Sequence, residues 1–113
     1  MCRICRDSDF NNREDSEHIR RLVHEIISKM KPKKVILFGS RARKDHRKHS
    51  DIDLLIIGDY QERFFDRIGM VLNLNDTPYD LEPLVYTEDE FDRMKERHFF
   101  RHILKNGIEL YGV

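Results

Sequence analysis

Cysteine, proline, glycine and net charge are all scarce in this 113-residue chain, and no long apolar run interrupts it. Each scarcity excludes something. The two cysteines, Cys2 and Cys5, form a single C-x-x-C. A structural zinc site needs four ligands, and no second pair follows; His18 and His24 do not have the spacing of a zinc finger. The N-terminal 1–14 therefore reads as a flexible segment with reduced thiols. No stretch approaches the ~20 apolar residues of a membrane span. The start, Met1 to Arg6, is charged with no apolar segment behind it, which excludes a signal peptide, so a cytoplasmic protein is expected. The 21 Lys and Arg balance 21 Asp and Glu, leaving no overall charge to attract nucleic acid, and no direct nucleic-acid binding is expected. With three prolines and five glycines, the chain has no linker, repeat or low-complexity segment. Its length suits one domain, 15–113.

What is present is strong periodicity. Ile19, Leu22, Val23, Ile26, Ile27 and Met30 share one face of a helix predicted over 15–30, capped by Asp15 or Ser16 and ended by Pro32. The spacing predicts a buried strand over 33–38 and a second over 51–57 whose apolar run implies burial on both faces. A helix over 61–74 follows, with Phe64, Phe65, Ile68, Val71 and Leu72 as its apolar side. The third strand, 79–86, contains Pro83, which costs a ladder hydrogen bond and marks an edge or a bulge. Thr87 and Glu90 form a capping box before helical residues that continue or restart through Leu104. His98 and His102 lie four apart there without the glutamate of a zincin, so a basic amphipathic helix is the reading. Asn106-Gly107 stops it, and Ile108 to Tyr111 is a short last strand or extended tail. The predicted fold class is α/β (α+β): a mixed sheet with helices packed mainly on one side.

The chemistry concentrates between the first two strands. Gly39 permits unusual dihedrals and close approach to the backbone. Ser40 offers a hydroxyl and a backbone N–H at the start of a short helix, an arrangement that suits phosphate, and Arg41, Arg43 and Lys44 add positive charge. Charge from Lys29 to Lys48 is almost all basic, while acids dominate from Asp51 to Glu96. Asp51 and Asp53 are two apart on a strand and so face one side. Carboxylates beside a phosphate-binding turn suit Mg²⁺, which binds through one or two carboxylates plus substrate phosphates, and two such ions can clamp the attacking and leaving oxygens. Asp80 and Glu82 share one face of the third strand, and either can supply a third acid. Ser50 can orient Asp51 or contact phosphate. His46 and His49 read as solvated.

Gly39-Ser40, ten residues, then Asp51-Ile52-Asp53 resembles the signature of the nucleotidyltransferase superfamily that includes DNA polymerase beta. The fuller strings, Leu37-Phe38-Gly39-Ser40-Arg41-Ala42-Arg43 and Ser50-Asp51-Ile52-Asp53-Leu54, resemble its small prokaryotic branch, the minimal nucleotidyltransferases of the MntA type. The resemblance extends from about Lys33 to Tyr111. The family often has glycine where this chain has Lys44, which leaves the path of that loop open.

The resemblance implies an enzyme that binds Mg²⁺, as two ions, and ATP, and moves AMP onto a hydroxyl with release of pyrophosphate. It implies metal binding and catalysis by Asp51, Asp53 and Asp80, with Glu82 as the alternative third acid. Phosphate binding falls to Gly39, Ser40, Arg41, Arg43 and Ser50. It further implies an antitoxin role, in which a HEPN-domain toxin is neutralised by adenylylation. The acceptor is then held by a partner protein or by a second copy of this chain. The alternatives are a non-catalytic module that silences such a partner by contact, and a transferase acting on small molecules or RNA.

Overall fold

The computed structural model describes residues 13–43 and 51–112, with side chains from residue 17 onward. The sequence features at Cys2, Cys5, Lys44, His46, His49 and Ser50 lie outside the described residues. Helix α1 (Arg13–Met30) buries Ile19, Leu22, Val23, Ile26 and Met30, the stripe its period requires. Its end is marked by Lys31 at φ 48°, the left-handed conformation that commonly terminates helices. Lys31 donates its N–H to the Ile27 carbonyl at 3.1 Å, and Pro32 follows.

Strand β1 (Lys34–Phe38) leads into the four-residue helix α2 (Ser40–Arg43). Strand β2 (Ile52–Gly58) is followed by helix α3 (Phe64–Leu72) and strand β3 (Leu81–Thr87). Two helices, α4 (Glu88–Met94) and α5 (His98–Asn106), precede strand β4 (Ile108–Gly112). The strands form one mixed four-stranded sheet in the order β3-β2-β1-β4. β1 pairs antiparallel with β2 and β4, and β2 pairs parallel with β3. Pro83 therefore lies on an edge strand, where one side needs no ladder bond.

The helices divide between the faces. On one, α1 and Val71 of α3 cover Val35, Leu37, Ile52, Leu54, Ile56, Leu81, Val85 and Leu110. On the other, Phe91 of α4 with Phe100 and Ile103 of α5 cover Ile36, Leu55 and Ile57. Both faces of β2 are thus buried, as its uninterrupted apolar run demands. The expectation of helices mainly on one side describes α1 and α3; α4 and α5 supply the second layer. They can do so because the segment breaks at Lys95–Arg97, letting Phe91 and Phe100 meet edge to face at 5.8 Å.

α4 starts on the predicted capping box, with Thr87 accepting from the Glu90 N–H and Glu90 accepting from the Thr87 N–H. Glu90 also holds the buried Arg67 of α3 at 2.6 Å. Arg67 donates further to the carbonyls of Glu62 at 2.8 Å and Val85 at 3.3 Å. One arginine therefore ties α3, β3 and α4 together.

Candidate active site

The parallel pairing of β2 and β3 decides which acids meet. Ile52 is opposite Leu81 and Asp53 is opposite Glu82. Alternation along β2 places Asp53 on the face of Leu55 and Ile57, the face covered by α4 and α5, and Asp51, one residue before the strand, on the same side. Paired residues of neighbouring strands share a face, so Glu82 stands beside Asp53. Asp80 precedes β3 and is exposed. Its carbonyl accepts from the Ile52 N–H at 2.8 Å, which fixes the entrance of the two strands.

Burial and the neighbouring acids both disfavour the charged form of Asp53. Its carboxyl is pushed up from 3.8 to about 7, first by burial, then by the hydrogen bond with Glu82, the charge of Glu82 and the charge of Asp51. Arg41 opposes the shift. Two carboxyls joined by a hydrogen bond do not both ionise freely, and a cation beside them favours the ionised pair.

Gly39 closes the site from the β1 side. It takes φ +76°, which a glycine adopts at no steric cost. A Cβ there would also collide with the Asp53 carboxylate, so the turn backbone and the acid are in direct contact. Ser40 begins α2 immediately after it, and the Arg43 N–H closes the turn onto the Gly39 carbonyl at 3.2 Å. Arg41 has no exposed surface. Its guanidinium lies 4.4 Å from the centre of the Tyr79 ring, a cation–π distance. The His18 ring of α1 meets the same tyrosine edge to face at 5.7 Å. Arg41 thus reaches the site as an internal charge facing Asp53. Arg43, at the end of α2, is exposed.

The structure brings together Gly39, Ser40, Arg41, Asp51, Asp53 and Glu82 and leaves Asp80 before β3 at the strand entrance; Asp80 and Glu82 are both exposed, and the β2–β3 register separates them. Sequence reasoning missed Tyr79, although it directly precedes Asp80. It also missed Phe38, the cross-strand partner of Asp53.

Among the described residues no three His, Cys, Asp or Glu side chains form a ready-made metal cage. That fits the donor set: Mg²⁺ is held by one or two carboxylates and completed by substrate phosphates rather than by a protein cage. Asp51, Asp53 and Glu82 offer hard oxygen donors on one face, and the raised Asp53 marks negative charge that a cation would relieve. No helix among the described residues is long and apolar enough to cross a membrane.

Comparisons with known proteins show the family. The family model described as "Polymerase beta, Nucleotidyltransferase" matches residues 21–112. A Methanocaldococcus jannaschii protein named "putative protein adenylyltransferase" is 32% identical over 107 residues, covering 86% of this chain and 98% of its own. A Sulfolobus solfataricus crystal structure described as a putative nucleotidyltransferase is 30% identical, with a TM-score of 0.53, covering 84% of this chain and 83% of that one. With a glycine-serine turn set against paired carboxylates, and a family match that spans every strand of the sheet, the chain belongs to the polymerase beta nucleotidyltransferase family, as a minimal nucleotidyltransferase.

Proposed function

We propose that the chain transfers AMP from ATP to a hydroxyl of a protein acceptor. The observation that carries the reading is the Asp53–Glu82 pair set against the Gly39 turn. The name of the Methanocaldococcus relative supports adenylate and a protein acceptor. In the reaction the acceptor oxygen forms a bond to the α-phosphorus. The bond from that phosphorus to the oxygen bridging to the β-phosphate breaks, and pyrophosphate leaves.

Asp51 and Asp53 would hold Mg²⁺, which when bound would neutralise charge developing on the phosphate oxygens and align the attacking and leaving groups. The chain's own residues do the rest. Gly39 lets the phosphates approach the backbone, and Ser40 donates to them. The charge of Arg41 opposes protonation of Asp53. Glu82, hydrogen-bonded to Asp53, is placed to take the acceptor proton. Catalysis of this kind is mostly positioning and charge stabilisation.

The proposed acceptor is a HEPN-domain toxin, silenced by the modification. The resemblance of the Leu37–Arg43 and Ser50–Leu54 strings to the MntA branch supports this partner. The test is label transfer from α-phosphate-labelled ATP, with Mg²⁺, onto the protein encoded beside this one. Label on the partner that disappears with Asp53→Asn is the expected result. A partner that stays bound and silenced without label, or with the Asp53→Asn variant, would replace transfer by contact.

A further inference from the structure

Beside the carboxylates, on the β1 side, lies a small cavity of about 180 Å³ lined by Phe38, Gly39, Arg43, Phe99, His102 and Asn106. Phe38 is opposite Asp53 across the sheet, and Gly39 borders both the cavity and the Asp53 carboxylate. The order along this end of the sheet is Glu82, Asp53, Phe38, then the C-terminal end of α5. Whole-ligand pockets run to roughly 300–1,000 Å³, so this cavity has room for one ring system of a ligand whose remainder lies outside, over the acids.

The walls suit a flat ring with a polar edge. Phe99 stands perpendicular to Phe38, their centres 6.1 Å apart, and Phe99 is 51% exposed although it borders the cavity. A base laid against it would cover that surface, the interaction that makes aromatic side chains base-stacking platforms.

The polar edge comes from Asn106 and His102. The Asn106 Nδ2 donates to the His102 carbonyl at 3.2 Å and lies 3.2 Å from the His102 Nδ1. A carbonyl only accepts, so the amide must present its NH₂ there, which leaves Asn106 Oδ1 as an acceptor. In the His102 tautomer that accepts this contact at Nδ1, the ring hydrogen is on Nε2. An acceptor next to a donor complements adenine, which sets the N6 amino donor beside a ring-nitrogen acceptor. Guanine has O6 and N7 acceptors on the equivalent edge.

We infer that this cavity is the base subsite and that Asn106 selects a base carrying an exocyclic amine, adenine above all. The inference takes its ligand class from the nucleotide-transfer reading. Binding of ATP and of GTP to the full chain, measured by calorimetry with Mg²⁺, tests it without requiring turnover. The wild type should bind ATP about tenfold more tightly than GTP, and Asn106→Leu should bring the two within about twofold. Phe99→Ala should weaken both about tenfold. Both sites are exposed, and an unchanged melting temperature confirms that the variants fold. Equal affinities in the wild type, or a preference that survives Asn106→Leu, overturn the subsite. Label transfer measured in parallel separates the two ideas. Transfer with base-indifferent binding sinks the subsite alone. Selective binding without transfer sinks the transferase and leaves the subsite standing. Binding of neither triphosphate overturns both.

Discussion

The Asp53 carboxylate occupies the space that a side chain at Gly39 would need. Turn and acid are fitted to each other across β1 and β2, so the phosphate-facing backbone cannot shift without moving a proposed metal ligand. Gly39→Ala should therefore lose label transfer by at least about a hundredfold while α1 and the sheet still form. The left-handed φ alone costs an alanine about 1–2 kcal/mol, and the displaced carboxylate adds to it. A lowered denaturation midpoint together with lost transfer is the expected pair of results; transfer within a few-fold of wild type would contradict the fit.

Proton and metal should compete at Asp53. Its folded value, about 7, lies above the ordinary 3.8, so protonation favours the fold. That stabilisation is full below about 4, declines as pH rises, and is gone above about 7. Denaturation midpoints of the metal-free protein should fall between pH 5 and 8, and Glu82→Gln, which removes the neighbouring charge, should flatten the decline. Mg²⁺ affinity, read by calorimetry, should run the other way and rise up to about tenfold per pH unit below 7, as one proton is displaced.

Arg41 sets where that competition falls. It is the cation that lowers the Asp53 value, so Arg41→Met should move the midpoint of the pH profile above 7. An unmoved midpoint with lowered stability would reduce Arg41 to a packing residue on Tyr79.

Arg67 should matter for stability and not for the chemistry. Its bond to Glu90 at 2.6 Å is shielded on the arginine side and open to water on the glutamate side. Arg67→Met should cost about 3 kcal/mol, the lower end of the range for breaking a buried pair, because Glu90 is partly open to water. Urea denaturation measures it, and kcat of the remaining folded protein should hold.

Gly107 seats the end of α5 on β1. A Cβ there would meet the Ile103 carbonyl, the Ile36 side chain and the Leu37 carbonyl within 3.0 Å. Gly107→Ala should cost about 1–3 kcal/mol by overpacking and displace the α5 wall of the cavity. Weaker ATP binding should accompany the lower melting temperature.

The local parts of this design were legible in the sequence. The apolar run Val35 to Phe38, the apolar run after Asp53, and Thr87 with Glu90 each carry their own pattern or cap, and each formed where the pattern placed it. The choice between Asp80 and Glu82 was not legible. They have the same parity on one strand, and only the β2–β3 register puts Glu82 at Asp53. Arg41 reads from the sequence as a positive charge for phosphate, and its complete burial against Tyr79 was not legible, because local pattern does not link the two residues. The break between α4 and α5 carries no glycine or proline, so the pattern leaves open whether the helix continues or restarts after Lys95; only in the fold do Phe91 and Phe100 both reach the sheet.

The β2–β3 pairing has a consequence for how the protein comes into being. Parallel strands need a crossover, here through α3, and such pairings close slowly because the loop entropy is spent before the contacts form. The β1–β2 hairpin, with its turn and its Asp51 and Asp53, is local by comparison. A partly folded chain can then hold the phosphate turn and two acids while Glu82 is still absent. On the reading that needs Glu82, modification of an acceptor begins only once the last strand of the acid pair has docked, and catalytic activity doubles as a check that folding is complete.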